Sequence, residues 1–149
     1  MIIIACVDQA NGMTFNHRRQ SRDSAVIKDI LRQTQEKILW MSPYSYGLFS
    51  GNLEKENLIQ VEEQLLGRVG KGEYCFMEDF PQGDEEDIEG VILYRWDKTY
   101  PAETRFPLDL QAPPWCCSSR ESFSGTSHEK ITKEIYQKIE KDCPKGEEK

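Results

Sequence analysis

The sequence predicts an α/β domain built on a mixed sheet, and three observations predict it. Short β-branched or aromatic apolar runs recur along the chain, as buried strands do. Between the first two runs lies a segment with one apolar stripe at helical spacing. In the second half such runs dominate, which points to an antiparallel C-terminal part. Residues 1–142 read as one domain without repeats or a linker, and 143–149 as a charged, frayed tail.

The elements follow in order. Met1–Val7 (MIIIACV) is a buried strand, and Asp8–Gly12 is a turn by composition. Residues 16–23 (NHRRQSRD) are basic and polar. Asp23 or Ser24 caps a helix to about Thr34, whose stripe is Val26, Ile27, Ile30 and Leu31. Lys37–Met41 is a second strand, Tyr44–Phe49 a short helix, and the stretch from Phe49 to Asn57 a polar loop. Leu58–Val61 is a short strand, and Glu62–Val69 a brief amphipathic helix stopped by Gly70. Glu73–Met77, Val91–Trp96 and Trp115–Phe123 are further strands. The acidic run Asp84–Glu89 reads as a solvated loop. In 127–142, Ile131, Ile135 and Ile139 recur every four residues, which favours a helix. A strand would line up the same isoleucines with Lys133 and Gln137 between them.

Composition narrows the function. The chain has 149 residues, 38% hydrophobic and 30% charged, enough to bury a sizeable core. With 19 Lys and Arg against 26 Asp and Glu the net charge is −7, so nucleic acid is not an expected partner. Met1–Val7 is the longest apolar run, too short to span a bilayer and without the basic flank of a signal peptide. No membrane partner and a cytoplasmic location are therefore expected. The five cysteines (Cys6, Cys75, Cys116, Cys117, Cys143) include no CxxC pair, and reduced thiols are expected. Cys116 and Cys117 would point to opposite faces of a strand. The two histidines, His17 and His128, form no zinc-ligand pattern, so no metal is expected.

The order of segments resembles the dihydrofolate reductase family. Val7-Asp8, Asn11-Gly12-Met13 and Phe15-Asn16 resemble that family's first strand and the mobile loop after it. The helix 23–34 stands where the family has its first helix. Lys37–Met41 followed by Ser42-Pro43-Tyr44-Ser45-Tyr46 resembles the strand entering a Gly-Arg-x-Thr-Tyr-like turn. Gln60–Gly70 resembles the helix of the second half, and Tyr74–Asp79 the strand before the paired glycines. Glu103-Thr104-Arg105-Phe106-Pro107 resembles the family's Asp-Thr-x-Phe-Pro-like stretch, and Trp115 the tryptophan opening its penultimate strand. The match is colinear to about Ile139. It implies a three-layer fold, a central mixed sheet flanked by helices, with 129–138 as the final edge strand. Short proteins similar to this one are sometimes labelled ribonuclease Z; that enzyme needs a histidine–aspartate cluster for zinc, and two histidines 111 positions apart do not supply it.

The departures from the family bear on function. The family's pterin-binding carboxylate falls on Val26, and Asp23 and Asp29 lie three residues to either side. That offset is about 300° around the helix and about 4.5 Å along it, so neither reaches the same spot. The Gly-Arg turn for the pyrophosphate is Ser42-Pro43, and proline offers no N–H. The paired glycines are Glu78-Asp79, which would repel a phosphate. Lys55 is the one cation of the short segment between Phe49 and Leu58. No cofactor is expected on this reading.

The resemblance places Asp8, Asn16, His17, Tyr44, Tyr46, Glu78 and Asp79 at the cleft. His17 has the chemistry of a general base near neutral pH. One of Glu78 and Asp79 would face the cleft and receive an amine, a guanidinium or a cation. Tyr44, Tyr46 and Trp40 offer rings for stacking or for core packing. Arg18, Arg19 and Arg22 either pair with the acidic loop or bind a phosphate. Ser127-His128-Glu129 is not a relay, because neighbours in sequence do not converge in space. The expected function is that of an unidentified-small-molecule-binding pseudoenzyme without NADPH-dependent reductase activity. An NAD(P)H-dependent reductase of a pterin- or pyrimidine-like substrate, with an unusual cofactor mode, is the alternative. A protein-interaction module pairing through an edge strand is the second alternative.

Overall fold

The computed structural model describes residues 1–15, 18–19, 23–65, 67–78, 88–96, 104–106, 108–126 and 129–138. Its centre is a seven-stranded mixed sheet. The strands are β1 (Ile2–Val7), β4 (Ile38–Met41), β5 (Leu58–Val61), β6 (Tyr74–Phe76), β7 (Gly90–Trp96), β9 (Trp115–Phe123) and β10 (Ile131–Lys138), in the order β5-β4-β6-β1-β7-β10-β9. β5, β4, β6, β1 and β7 pair in parallel, and β10 and β9 add antiparallel. Three short strands, β2 (Gly12–Phe15), β3 (Arg18–Arg19) and β8 (Thr104–Arg105), form a second sheet. The chain is thus α/β, with two helices among the described residues: α1 (Ser24–Gln33) and α2 (Pro43–Phe49).

β1 is buried on both faces, as a continuous β-branched run in a parallel sheet should be. Its alternate residues divide the core. Ile4 and Cys6 join Val26, Ile27, Ile30 and Leu31 of α1 and Phe49 of α2 on one face. Ile3, Ala5 and Val7 join Met13, Phe106, Leu108 and Leu110 on the other. Both helices therefore cover the same face. Among the described residues, irregular segments and β2 cover the opposite one. One cause is local: residues 62–65 are irregular and 67–69 form a turn and bend rather than the expected helix, and Gly67 takes a positive φ of 82°, which a right-handed helix does not contain.

α1 starts where the sequence predicts. Asp23 is the N-cap, its Oδ1 accepting from the backbone N–H groups of Ala25 at 3.0 Å and Val26 at 3.3 Å. The same carboxylate accepts from Thr126 N–H at 3.0 Å, which ties the helix start to the chain beyond β9.

Ile131–Lys138 is a strand, as the family resemblance implies and against its helical period. It is not the edge strand; it lies between β7 and β9, and β9 takes the edge. The period of four misleads because both faces of β10 are buried. Ile131 and Lys133 sit on the helical face, Glu134 and Tyr136 on the other. Cross-strand pairing on two sides outweighs helix propensity here. A bulge between Ile135 and Tyr136 leaves Ser118 of β9 unpaired in register, so Cys117 and Phe123 face opposite sides.

Among the described cysteines, Cys6, Cys75 and Cys117 are free and buried. Cys116 is disulfide-bonded, which departs from the expectation of reduced thiols. Among the described residues no helix is long and apolar enough to cross a membrane.

Candidate functional site

In sheets with parallel strands, ligands bind beyond the carboxyl ends of the strands. Here β1 ends at Val7, just before Asp8, β4 runs through Ser42 into α2, and β6 runs through Met77 to Glu78. β4 and β6 are neighbours, so the start of α2 and Glu78 are brought together.

Ser42 caps α2 and Pro43 opens it, a favoured first residue because its missing N–H has no partner to lose. Ser42 Oγ accepts from Ser45 N–H at 3.2 Å and donates to Ser45 Oγ at 3.2 Å. Ser45 Oγ then donates to Glu78 Oε1 at 2.9 Å. Two hydroxyls thus hand their hydrogens in sequence to a carboxylate that is only 6% exposed. Charge-assisted hydrogen bonds of this kind orient a carboxylate firmly. Chemically the result is an acceptor aimed by the protein, beside the first backbone amides of α2.

The other predicted site residues are placed as follows. Asp8 is fully buried, and its Oδ1 accepts from Ala10 N–H and Gly12 N–H, each at 2.8 Å. It therefore shapes the turn from β1 to β2. Asn11 completes that turn at a positive φ of 62°, a conformation asparagine tolerates. Arg95 Nη1 clamps the turn by donating to Asp8 O at 2.9 Å and Asn11 Oδ1 at 2.7 Å. Arg95 Nη2 also pairs with the buried Glu134 at 3.2 Å. Tyr44 is exposed on α2, and Tyr46 packs on the helical face of the core. Trp40 packs on the opposite face and donates its Nε1–H to Glu73 at 2.9 Å, so Trp40 and Tyr46 do not form one stacking platform. Asn16, His17, Asp79 and Arg22, and residues 84–87 of the acidic loop, lie outside the described residues, as do the side chains of Arg18 and Arg19.

The carboxylates near Val26 are committed elsewhere. Val26 itself is wholly buried core, and Asp23 is the helix cap. Asp29 accepts from the Tyr94 hydroxyl at 2.6 Å and pairs with Lys133 Nζ at 2.9 Å and with Arg32. Burial alone would raise its pKa, but the hydrogen bonds from Tyr94 and Lys133 and the two cations hold it below the ordinary range. Burial, then the Asp29 charge, drives the Tyr94 hydroxyl upward.

Sequence reasoning missed Ser45 as a site residue and missed the Asp29–Lys133–Tyr94 cluster. Ser42-x-x-Ser45 ahead of a short helix is a signal for the first. A lone lysine between two isoleucines is the signal for the second. Among the described residues no group of three or more His, Cys, Asp or Glu is placed to hold a metal ion. Neither a scan of protein-family models nor a search of curated proteins finds a match to this chain.

Proposed function

We propose that this chain is a divergent dihydrofolate-reductase-like scaffold that binds a small ligand beyond the carboxyl ends of β4 and β6, without NADPH-dependent reduction. The five parallel strands with an antiparallel C-terminal pair support the scaffold reading. The observation that carries the functional reading is the Ser42–Ser45–Glu78 chain. Where the resembled family offers amides and a cation to a pyrophosphate, this chain has a proline and its own oriented carboxylate. A buried carboxylate disfavours a phosphate by like charge and favours an amine, amidine or guanidinium. The proton-delivering position supports the same conclusion, because Val26 is sealed in the core and the flanking aspartates are engaged.

Thermal shift with 2-aminopyrimidine, benzamidine and agmatine, against NADPH and dihydrofolate, tests this reading. One of the amine-bearing compounds stabilises the protein, and Glu78→Gln weakens its binding roughly tenfold. Oxidation of NADPH or NADH with a pterin or pyrimidine substrate would instead establish the reductase alternative. A second reading, an interaction module, is favoured by the edge strand β5. Leu58 and Val61 there are 44% and 42% exposed, and edge strands template pairing with another chain. Light scattering after size exclusion separates it: Leu58→Lys leaves a monomer a monomer, but splits an oligomer built on this edge.

A further inference from the structure

The geometry points to a second ligand site, in a groove of about 450 Å³ between α1 and β9, for a small molecule with an anionic head and a flat apolar body. Glu78 follows β6, and β1, β7 and β10 stand between that strand and β9. At strand spacing this separates the two places by roughly 19 Å, so the groove is not part of the cleft.

Its α1 wall is one stripe of the helix, Ala25, Lys28, Asp29 and Arg32, flanking the buried stripe. Its β9 wall is Glu121, Ser122 and Phe123. Lys28 and Arg32 stand one turn apart, a spacing that lets two cations meet one phosphate or carboxylate. Asp29 is not open to a competing cation, since Tyr94, Lys133 and Arg32 already hold it. Lys133 is buried behind that carboxylate, its Nζ also donating to Gln33 Oε1 at 2.7 Å. The lining carries two cations, Lys28 and Arg32, and two carboxylates, Asp29 and Glu121, and the charge of Asp29 is met from behind by the buried Lys133. The guanidinium of Arg32 has five N–H donors and uses only part of them on Asp29. Phe123, held edge-on to Tyr94 at 6.4 Å between centroids, and the Ala25 methyl supply the apolar floor for a ring. The Ser122 hydroxyl points to the other face of the sheet, where it shares a hydrogen bond with Thr132 at 3.1 Å, so the ring floor is Phe123 and Ala25 alone.

Titration calorimetry with phenylphosphonate tests the site, with inorganic phosphate and benzylamine as comparison ligands. Phenylphosphonate binds more tightly than either, because it alone engages both the cations and the ring floor. Lys28→Gln and Arg32→Gln each weaken it roughly tenfold, while Glu78→Gln does not change it. Lys28→Gln leaves the Arg32–Asp29 pair in place, so its effect reports the ligand rather than the fold. Amide resonances of residues 25–32 and 121–123 shift on titration. The proposal is overturned by the absence of saturable binding at millimolar concentration, by tighter binding of benzylamine, or by full affinity in both variants.

Discussion

Lys133→Met removes a cation buried beneath α1 and keeps most of its aliphatic volume. Lys133 Nζ lies 2.9 Å from Asp29 and 2.7 Å from Gln33 Oε1, with its side chain only 6% exposed. Removing one member of a buried ion pair costs about 3–5 kcal/mol, because the remaining charge is left without its partner. Asp29 would keep the Tyr94 hydroxyl and the exposed Arg32, which places the loss at the lower end, about 3 kcal/mol. For a chain of this length that lowers the melting temperature by about 6–12 °C. The pH dependence has a definite sign. Asp29 titrates below its ordinary 3.8 in the folded state, so its contribution is present above that value and lost as pH falls through the folded value. The penalty of Lys133→Met is therefore full near neutral pH and shrinks in acid, where Asp29 is protonated in both proteins. Urea unfolding followed by tryptophan fluorescence, around pH 7 and again around pH 3, reads both effects. The double variant Asp29→Asn/Lys133→Met should lose at least about 1 kcal/mol less than the two single losses added. A single-variant loss under about 1 kcal/mol, or an unchanged loss in the Asp29→Asn background, would refute the assignment.

Arg95→Met should cost about 2–4 kcal/mol by leaving Glu134 short of a charge partner, and should speed amide exchange at residues 10–12; unchanged exchange there would contradict the clamp. Asp23→Ala should destabilise by about 1–2 kcal/mol in chemical unfolding, and a change within error would deny it the capping role. Ser45→Ala should cost about 1–3 kcal/mol, read as a lower melting temperature, since Glu78 loses a donor in a buried setting. Burial pushes the Cys75 thiol up to about 12, so iodoacetamide should label it only as fast as the protein unfolds; labelling at the rate of a free peptide thiol would count against its placement.

Much of the architecture is legible in the sequence because single residues announce it. Asp23 ahead of Val26, Ile27, Ile30 and Leu31 gives the helix start and its buried face, and both are observed. The β-branched run at the N-terminus gives the central strand. What fails, fails where tertiary contacts decide. Residues 62–69 have an amphipathic pattern, but Gly67 turns the backbone out of helix. β10 carries a period of four that is an accident of burial on two faces, one matched by Asp29 and the other by Arg95 and Arg120. The edge position went to β9 because β10 pairs on both sides. At the site, Asp8 and Glu78 were visible as acids at strand ends. Their distant partners were not: Ser45 lies 33 residues from Glu78, and Arg95, which donates to the Asp8 carbonyl, lies 87 from it. No local pattern encodes separations of that kind.

The lopsided covering of the sheet has a consequence for how the molecule breathes. A helix carries its own backbone hydrogen bonds and lifts off as a unit, so the α1 side should open in one cooperative event. The opposite side, among the described residues, is sealed by separate short pieces, Met13 of β2, Phe106, Leu108 and Leu110 among them. Each can part from the sheet on its own, and apolar surface on that side should meet water in small, frequent excursions. Changes in segment length should be absorbed there more readily than beneath α1, which leaves that half of the molecule the freer to vary while the strands stay put.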